Sequence, residues 1–442
     1  MQVVTETGKN FRSNSTMYTK CSTVSSSRQK NIRTCGYSQK TPGSGLDAVL
    51  NPFAKRIRSA SRRKLFLAWE GALEKNDIRV LVLNPGGMST KLGVYTRDGA
   101  EWVRIILHGD EEIARFRGKS MLARLDYRAG LIRDALHDAG YGETGFAAVA
   151  GRGGLLPPLD CGTYLVDDAM LEALRLARLG EHASNLGAFL ALNFARAAGV
   201  NAYIVDPVTV DEWQPCARLT GSPLVQRTSI LHALNTKAVA RRYARELGRA
   251  YESLRLIVLH LGSGISVSAH QNGRMIDSNS IEEGPFGPDR TGSLPVRALI
   301  RLCFSGQFTQ GQLDRHLFGE GGLFAYLGTR DLVEVERRIN AGDREAAAVI
   351  DAMVHQIARE AGAMAAVLRG KVDAVLLTGG MAYSERLVEL LRGYLAWIAP
   401  IRVYPGEDEL QALAEGVFRV LSGEEQAKRM DPQAAPPSVK SI

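Results

Sequence analysis

The chain is poor in cysteine. Its five cysteines, Cys21, Cys35, Cys161, Cys216 and Cys303, show no CxxC spacing, so neither a disulfide frame nor a zinc site is expected, and a reducing compartment suits them. No apolar run approaches the roughly 20 residues of a membrane helix, and no secretory apolar segment is present. The P-loop pattern GxxxxGKS/T, a strand-linked GxGxxG and the HRD and DFG elements of protein kinases are all missing, which excludes the standard nucleotide-binding motifs. Acidic residues are scarce only near the N terminus. Residues 1–76 carry 14 Lys+Arg against 4 Asp+Glu, and the remainder 41 against 43. The net charge of +8 therefore belongs to the N-terminal stretch, and the near-neutral body argues against nucleic acid as a partner of the core.

That stretch is rich in Ser, Thr, Asn, Arg and Lys, which predicts disorder to about Ala54 and at most a marginal helix over Arg58–Lys75. Disorder without a targeting role, or a gene start set too early, is preferred over a transit peptide. Beyond Lys428 the Pro- and Ser-bearing end is expected to be loose.

What the body does contain is a regular α/β pattern, with 45 glycines and 45% apolar residues over a length that predicts two domains. It is organised around residues 79–99, RVLVLNPGGMSTKLGVYTRDG. Val80–Leu83 is an apolar run suited to a buried strand, Asn84-Pro85-Gly86-Gly87 breaks it, and Leu92–Tyr95 reads as a second strand. The turn carries Ser89, Thr90 and Lys91 among unhindered amides, an arrangement that can hold an anion. Residues 256–273, LIVLHLGSGISVSAHQNG, repeat the order of strand, glycine turn and strand. Val372–Gly380 is a third buried run meeting a double glycine, followed by a helical stretch over Ser384–Leu395. Two matching hairpins and a strand–Gly-Gly–helix predict a duplicated α/β unit with a phosphate-bearing ligand between the halves.

Other elements follow the same reading. Trp102–Leu107, Phe146–Ala150, Asn201–Val205 and Arg402–Tyr404 read as strands. Glu111–Leu125, Tyr127–Ala139, Asp168–Leu179, Ala183–Ala198, Arg227–Arg245, 293–303, 331–340, Arg344–Leu368 and Glu409–Leu421 read as helices. Arg152 follows a buried strand within Gly151–Gly154, and Asp206 stands at the end of another, where ligands bind in α/β sheets. The prolines and glycine of 207–223 place a domain junction there. His260 stands beside the second glycine turn. Gly284–Gly292 is a glycine- and proline-locked loop presenting Arg290, whose fork suits phosphate or carboxylate.

NPGGMSTK, AVAGRGGLLPPL, VDPVTVDEW, HLGSGISVSA, EEGPFGPDRTGSLP and LLTGGMAYS, in this order and spacing, resemble the butyrate kinases. These belong to the acetate kinase branch of the actin, sugar-kinase and heat-shock-70 ATPase superfamily. The resemblance runs from about residue 78 to about 425. It implies two ribonuclease-H-like, actin-like ATPase domains with a nucleotide cleft between them. The first would span 76–207, completed by a returning helix over 408–425, and the second 208–407, flanked by a 1–75 extension and a 426–442 tail. It implies ATP and magnesium as cofactors, and the reaction of ATP with butanoate to give ADP and butanoyl phosphate. It also implies a cytoplasmic homodimer or higher homo-oligomer, with no membrane or nucleic-acid partner. Matched residue by residue, Asn84, Ser89 and Lys91 fall on the first phosphate hairpin, and His260, Gly262 and Gly264 on the second. Gly379 and Gly380 match the adenosine motif. Arg152 and Arg290 match the basic pair around the transferring phosphoryl group, Asp206 the cleft aspartate, and His232 a family histidine. Asn84 and Glu409 match the magnesium positions, with Glu407 an alternative to Glu409. The first turn departs from the family form NPGSTSTK, because Gly87-Met88 replaces Ser-Thr and a hydroxyl is lost. A kinase for isobutyrate, propionate or acetate stays open as an alternative, as does a catalytically weakened nucleotide-binding relative.

The chemistry of the residues agrees with this family. A carboxylate is ionised at neutral pH and needs no general base. What it needs is cations that bring two anions together and stabilise the equatorial oxygens of an in-line transfer. Two arginines, a lysine and histidines, without a nucleophilic triad, are such a set.

Overall fold

The computed structural model describes residues 78–431. The expectations for the 1–75 extension and for 432–442 lie outside the described residues. Apolar runs flanked by glycine turns form eleven named strands, in two sheets. The first sheet is built from β1 (Val80–Pro85), β2 (Ser89–Thr96), β3 (Gly99–Leu107), β4 (Ala148–Arg152), β5 (Thr163–Leu165) and β6 (Asn201–Val205), in the order β3-β2-β1-β4-β6-β5. The second uses β7 (Arg255–Leu261), β8 (Ile265–Gln271), β9 (Arg274–Ser278), β10 (Ala374–Gly379) and β11 (Ile401–Pro405), in the order β11-β10-β7-β8-β9.

The same plan underlies both. In the first sheet β1–β2 and β2–β3 are antiparallel, whereas β1–β4 and β4–β6 are parallel. In the second, β7–β8 and β8–β9 are antiparallel, and β10 lies parallel to both β7 and β11. Only β5 is extra, pairing antiparallel with β6. The duplication read from the two hairpins is thus a duplication of the whole sheet.

Strand side chains alternate between two helical layers, as the period of two requires. Leu81, Leu83, Val149 and Ile204 face the helix Leu186–Ala198 through Leu186, Leu190 and Phe194. Val80, Val82, Ala150 and Val205 pack against Leu410, Leu413 and Val417 of the helix Glu409–Leu421. In the second sheet Ile257, Leu259, Val375 and Leu377 face the helix Arg344–Val367. Leu256, Val258 and Leu376 face Val239, Ala240 and Tyr243 of the helix Ala233–Glu246. The helix Glu409–Leu421 follows the second sheet's last strand, yet packs on the first sheet. Its N-terminal end is thereby carried across the junction between the two.

Some local expectations need correction. Glu111–Leu125 is not one helix: a short Asp110–Ala114 helix buries no residue, Gly118 turns left-handed at φ +75°, and a 3-10 turn over Met121–Arg124 leads into Leu125–Asp138. The helix expected from Arg227 begins only at Ala233. Arg227 is held in an irregular segment by Glu283, Asp277 and the carbonyls of Ala217 and Ser278, which outcompete helix formation. The helix from Asp168 stops at Leu176, where Ala177 adopts φ +42°. Residues 426–431, expected to be loose, are anchored: Lys428 exchanges backbone hydrogen bonds with Thr163 and Leu165, and Met430 is buried. Helices over Gln310–Phe318 and Gly322–Leu327 carry no expectation from sequence. None of the described helices is long and apolar enough to cross a membrane.

Candidate functional site

The carboxyl ends of β1, β4 and β7 and the start of the helix Glu409–Leu421 bring most of the expected residues together. Asn84, at the end of β1, donates through Nδ2 to Glu409 Oε2 at 2.6 Å. Arg152, the last residue of β4, pairs with Glu409 Oε1. Burial alone would raise the Glu409 carboxyl, but Arg152 and the Asn84 amide outweigh it and hold the group below its ordinary pKa. Glu407 lies across from Lys91 Nζ and His260 Nε2, each at 3.8 Å. Burial and the neighbouring Glu409 charge push its pKa up.

Two histidines form the floor on the second sheet's side. The rings of His232 and His260 stack with centroids 3.8 Å apart and planes 12° from parallel. The Asn235 amide donates to the Glu407 carbonyl at 2.7 Å, so its oxygen is left to accept from His260 Nδ1 at 2.8 Å. That fixes the His260 tautomer and leaves Nε2 as a bare acceptor, buried and without a hydrogen-bond partner. On His232, Ser266 Oγ lies 2.9 Å from Nδ1 and accepts from the backbone N–H at 3.4 Å; with the hydroxyl donating to Nδ1, the Nε2 proton is a free donor. Burial keeps both rings neutral, helped on His232 by its partner ring and on both by Arg290 and Arg152. His260 is lowered to about 4, and His232 falls well below its ordinary value. Both arginines therefore act on both rings.

The second glycine turn is shaped by these side chains. A Cβ on Gly264 would collide with the Arg290 guanidinium, and one on Gly262 would stand 2.9 Å from His260 Nε2. Glycine at both positions lets the arginine and the histidine ring lie against bare backbone. Gly379 has φ +90° and abuts the Leu261 carbonyl, where any side chain would clash. Its amide donates to the Gly406 carbonyl at 2.9 Å and its carbonyl accepts from Gly406 N at 3.0 Å, which holds the segment leading to Glu407 and Glu409. Gly380 opens onto free space.

Two expected residues stand differently. Asp206 does not hydrogen-bond any of this group. Its carboxylate accepts from Gly162 N at 2.7 Å and from Arg241 Nη1 at 2.9 Å. Burial would raise its pKa, but Arg241 and Lys237 hold it low, so its visible partners make it an anchor of the junction. Ser89 uses its carbonyl in the turn, accepting from Gly86 N at 2.7 Å.

Several residues were not singled out from sequence. Arg128 is fully buried and has no carboxylate partner among the described residues. It donates to Gly87 O at 3.0 Å, to Thr90 Oγ1 at 3.1 Å and to Ser89 O at 3.4 Å, clamping the first glycine turn. Burial and then Arg124 lower it to about 10. His108 supports the same turn through Thr90 Oγ1 at 2.9 Å and through its amide to Met88 O. His182, in EHASN, is lowered by burial and by both Arg152 and Arg290, so it stands within reach of the arginine pair. The signal for Arg128 was present: Arg128, Ile132 and Leu136 share one helix face at intervals of four, and the latter two are core residues.

No cluster of three or more His, Cys, Asp or Glu forms a metal cage among the described residues. Magnesium does not require one, since it keeps water and substrate phosphates in its shell and takes one or two carboxylates. Asn84, Glu409 and the destabilised Glu407 fit that role.

Comparison with known proteins agrees with this architecture. Residues 224–395 match the acetokinase family. The structure of Porphyromonas gingivalis acetate kinase superposes with a TM-score of 0.65 at 18% identity, covering 78% of this chain and 100% of that one. A propionate kinase from Francisella tularensis subsp. tularensis SCHU S4 gives 0.63 at 17% identity, covering 77% and 98%. Acetate kinase from Entamoeba histolytica gives 0.63 at 15% identity, covering 78% and 100%. The fold is the one seen in these acetate and propionate kinases.

Proposed function

We propose that this protein is a carboxylate kinase that transfers the γ-phosphoryl group of ATP to butanoate, or to an acid of similar size. The observation that carries the reading is the convergence of Arg152 and Arg290 on two neutral, stacked histidines beside the Asn84–Glu409 pair, at the carboxyl ends of two duplicated sheets. The acetokinase match over 224–395 and the likeness to acetate and propionate kinases support the reaction class.

In the proposed step a carboxylate oxygen attacks the γ-phosphorus, and the bond from that phosphorus to the departing ADP oxygen breaks. No proton moves. Bound magnesium would neutralise phosphate charge, and Asn84, Glu409 and Glu407 are the groups to hold it. The protein's own work is electrostatic. Arg290, half-buried and resting on the Gly264 turn, and Arg152, whose Nε is a buried donor without a partner, offset the repulsion between the two anions. His232 offers its Nε2 proton to a phosphoryl oxygen without adding a charge that would bind ground-state phosphate too tightly. Lys91 covers the phosphate side of the first hairpin.

The space beside Arg290 bears on acid size. A cavity of about 360 Å³ there is lined by Ile281, Leu294, Leu299, Leu317 and Phe318 together with Glu282, Arg290, Thr291 and Ser293; the apolar part suits a chain longer than a methyl group. A hydroxamate assay of acyl phosphate formation across C2–C6 acids with MgATP tests the reading. A maximum at C4 or its branched isomer is expected; preference for acetate would refute the size argument, and no product with any acid would refute the kinase.

A further inference from the structure

A further cavity lies away from these residues. Its volume is about 450 Å³, and Leu155–Pro158, the helix Asp168–Leu176, Thr209 and Gln226–Ser229 enclose it. None of Arg152, His232, His260 or Arg290 lines it. Its walls are mostly apolar: Leu155, Leu156, Pro157, Ala173, Leu176 and Leu179. The charged groups in the wall are nearly all matched. Arg218 pairs with Asp211, Arg227 with Glu283 and Asp277, and Glu172 with Arg175. Arg178 makes no ion pair or hydrogen bond among the described residues, and stands exposed at the mouth. Inside, Thr209 is 2% exposed, and its Oγ1 is buried without a hydrogen-bond partner.

We propose that this cavity is a second binding site, separate from the phosphoryl-transfer site, for a small amphiphilic carboxylate. The apolar body fills the space between Leu156, Ala173 and Leu176, a polar atom along it satisfies Thr209 Oγ1, and the carboxylate meets Arg178 at the mouth. Each part answers a specific deficit. An apolar cavity of this volume falls within the range of about 300–1,000 Å³ used by small-molecule sites. A buried hydroxyl without a partner is costly unless something bonds it. A single unmatched guanidinium beside paired charges selects an anion. The wall also approaches the proposed transfer site along the chain from both sides, since Leu155 lies three residues after Arg152 and Ser229 three before His232. Occupancy is therefore able to influence the site without entering it.

The test is calorimetric titration of the full chain with hexanoate, octanoate and 4-hydroxyphenylacetate, with the nucleotide site saturated by a non-hydrolysable ATP analogue and butanoate in excess. Saturable binding of one equivalent is expected. Arg178→Ala should weaken it about tenfold or more, the loss of one charge-assisted hydrogen bond, and Thr209→Val should weaken binding of 4-hydroxyphenylacetate more than that of octanoate. Ala173→Phe, which fills the cavity, should abolish binding. Because Arg178 is exposed, its variant reports even if the filled variant does not fold. Absence of saturable binding to the wild type, or equal affinity in Arg178→Ala, overturns the proposal. So does competition by butanoate, which would merge the cavity with the acid pocket.

Discussion

Replacing Glu409 by leucine removes the carboxylate that holds both Asn84 and Arg152. The Arg152 and Glu409 side chains are only 11% and 12% exposed, so water compensates little. Removing one partner of a buried pair leaves an uncompensated charge and costs about 3–5 kcal/mol. With an m-value of about 2–3 kcal/mol/M, the urea midpoint should fall by about 1–2.5 M. The double variant Arg152→Met/Glu409→Leu removes both charges and should recover to within about 1 kcal/mol of the wild type, because a buried pair gains little over apolar groups of similar size. The pH dependence has a defined sign. The folded pKa of Glu409 lies below its unfolded value, so its stabilisation is present above about pH 4.5 and lost as pH falls below that. The leucine variant should lack that acid-side loss. Equilibrium urea unfolding of the three proteins at pH 7 and pH 4 reads all of this. A Glu409→Leu protein as stable as the wild type, or a double variant no better than the single one, refutes the reasoning.

Other predictions follow from the same geometry. Arg290→Ala should lower kcat far more than it raises KM for ATP, and Arg290→Lys should rescue only in part, because a point charge cannot replace the fork; a normal kcat in steady-state kinetics would remove the residue from the site. Arg128→Met should raise KM for ATP severalfold or more by releasing the Gly87–Thr90 turn, with butanoate KM less affected, and unchanged kinetics would show that the turn holds without its clamp. His260, depressed to about 4 against about 6.5 unfolded, makes stability fall as pH drops from 6.5 to 4, by roughly 3 kcal/mol; urea midpoints of wild type and His260→Asn across that range should diverge at pH 7 and converge at pH 4. Gly87→Ser restores a hydroxyl where Gly87 is exposed, outside the left-handed region, and has nothing within 4 Å of an added Cβ. It should raise kcat by up to about tenfold, ~1.4 kcal/mol, and a loss of activity would show that the backbone amide, rather than a hydroxyl, serves the phosphate.

What could be read from sequence was whatever local pattern controls. The hairpins β1–β2 and β7–β8 were legible because β-branched runs meet glycine turns, and the family blocks fall on those turns. The duplication was legible for the same reason. The segment 227–232 was not, because helical periodicity there is overridden by Arg227, whose four partners come from residues 217 and 277–283. Asp206 was expected in the cleft from its place at a strand end. Its distant partner Arg241 on the following helix is invisible to a local reading. Arg128 was missed because an arginine on an amphipathic helix is read as solvated, and only the tertiary fold lays its face against the turn.

The duplicated sheet also explains why two buried polar atoms without partners, on Arg152 and His260, stand near the ends of β4 and β7. In each sheet the first hairpin is bent by a turn that cannot continue the ladder, so its amides and nearby side chains are turned away from strand partners. The turns belong to the ends of β1 and β7, and the helix Glu409–Leu421 crosses from one sheet to the other to bring its acidic start between them. A single sheet would solvate such groups. Two facing copies bury them, and burial without partners is tolerated only where something else completes the hydrogen bonds. Arg152 Nε and His260 Nε2 are two such atoms. One donates and the other accepts, and both stand beside carboxylates too close together to be comfortable without a cation. An anion with a divalent counter-ion satisfies all of them at once, whereas a neutral ligand would satisfy only the hydrogen bonds.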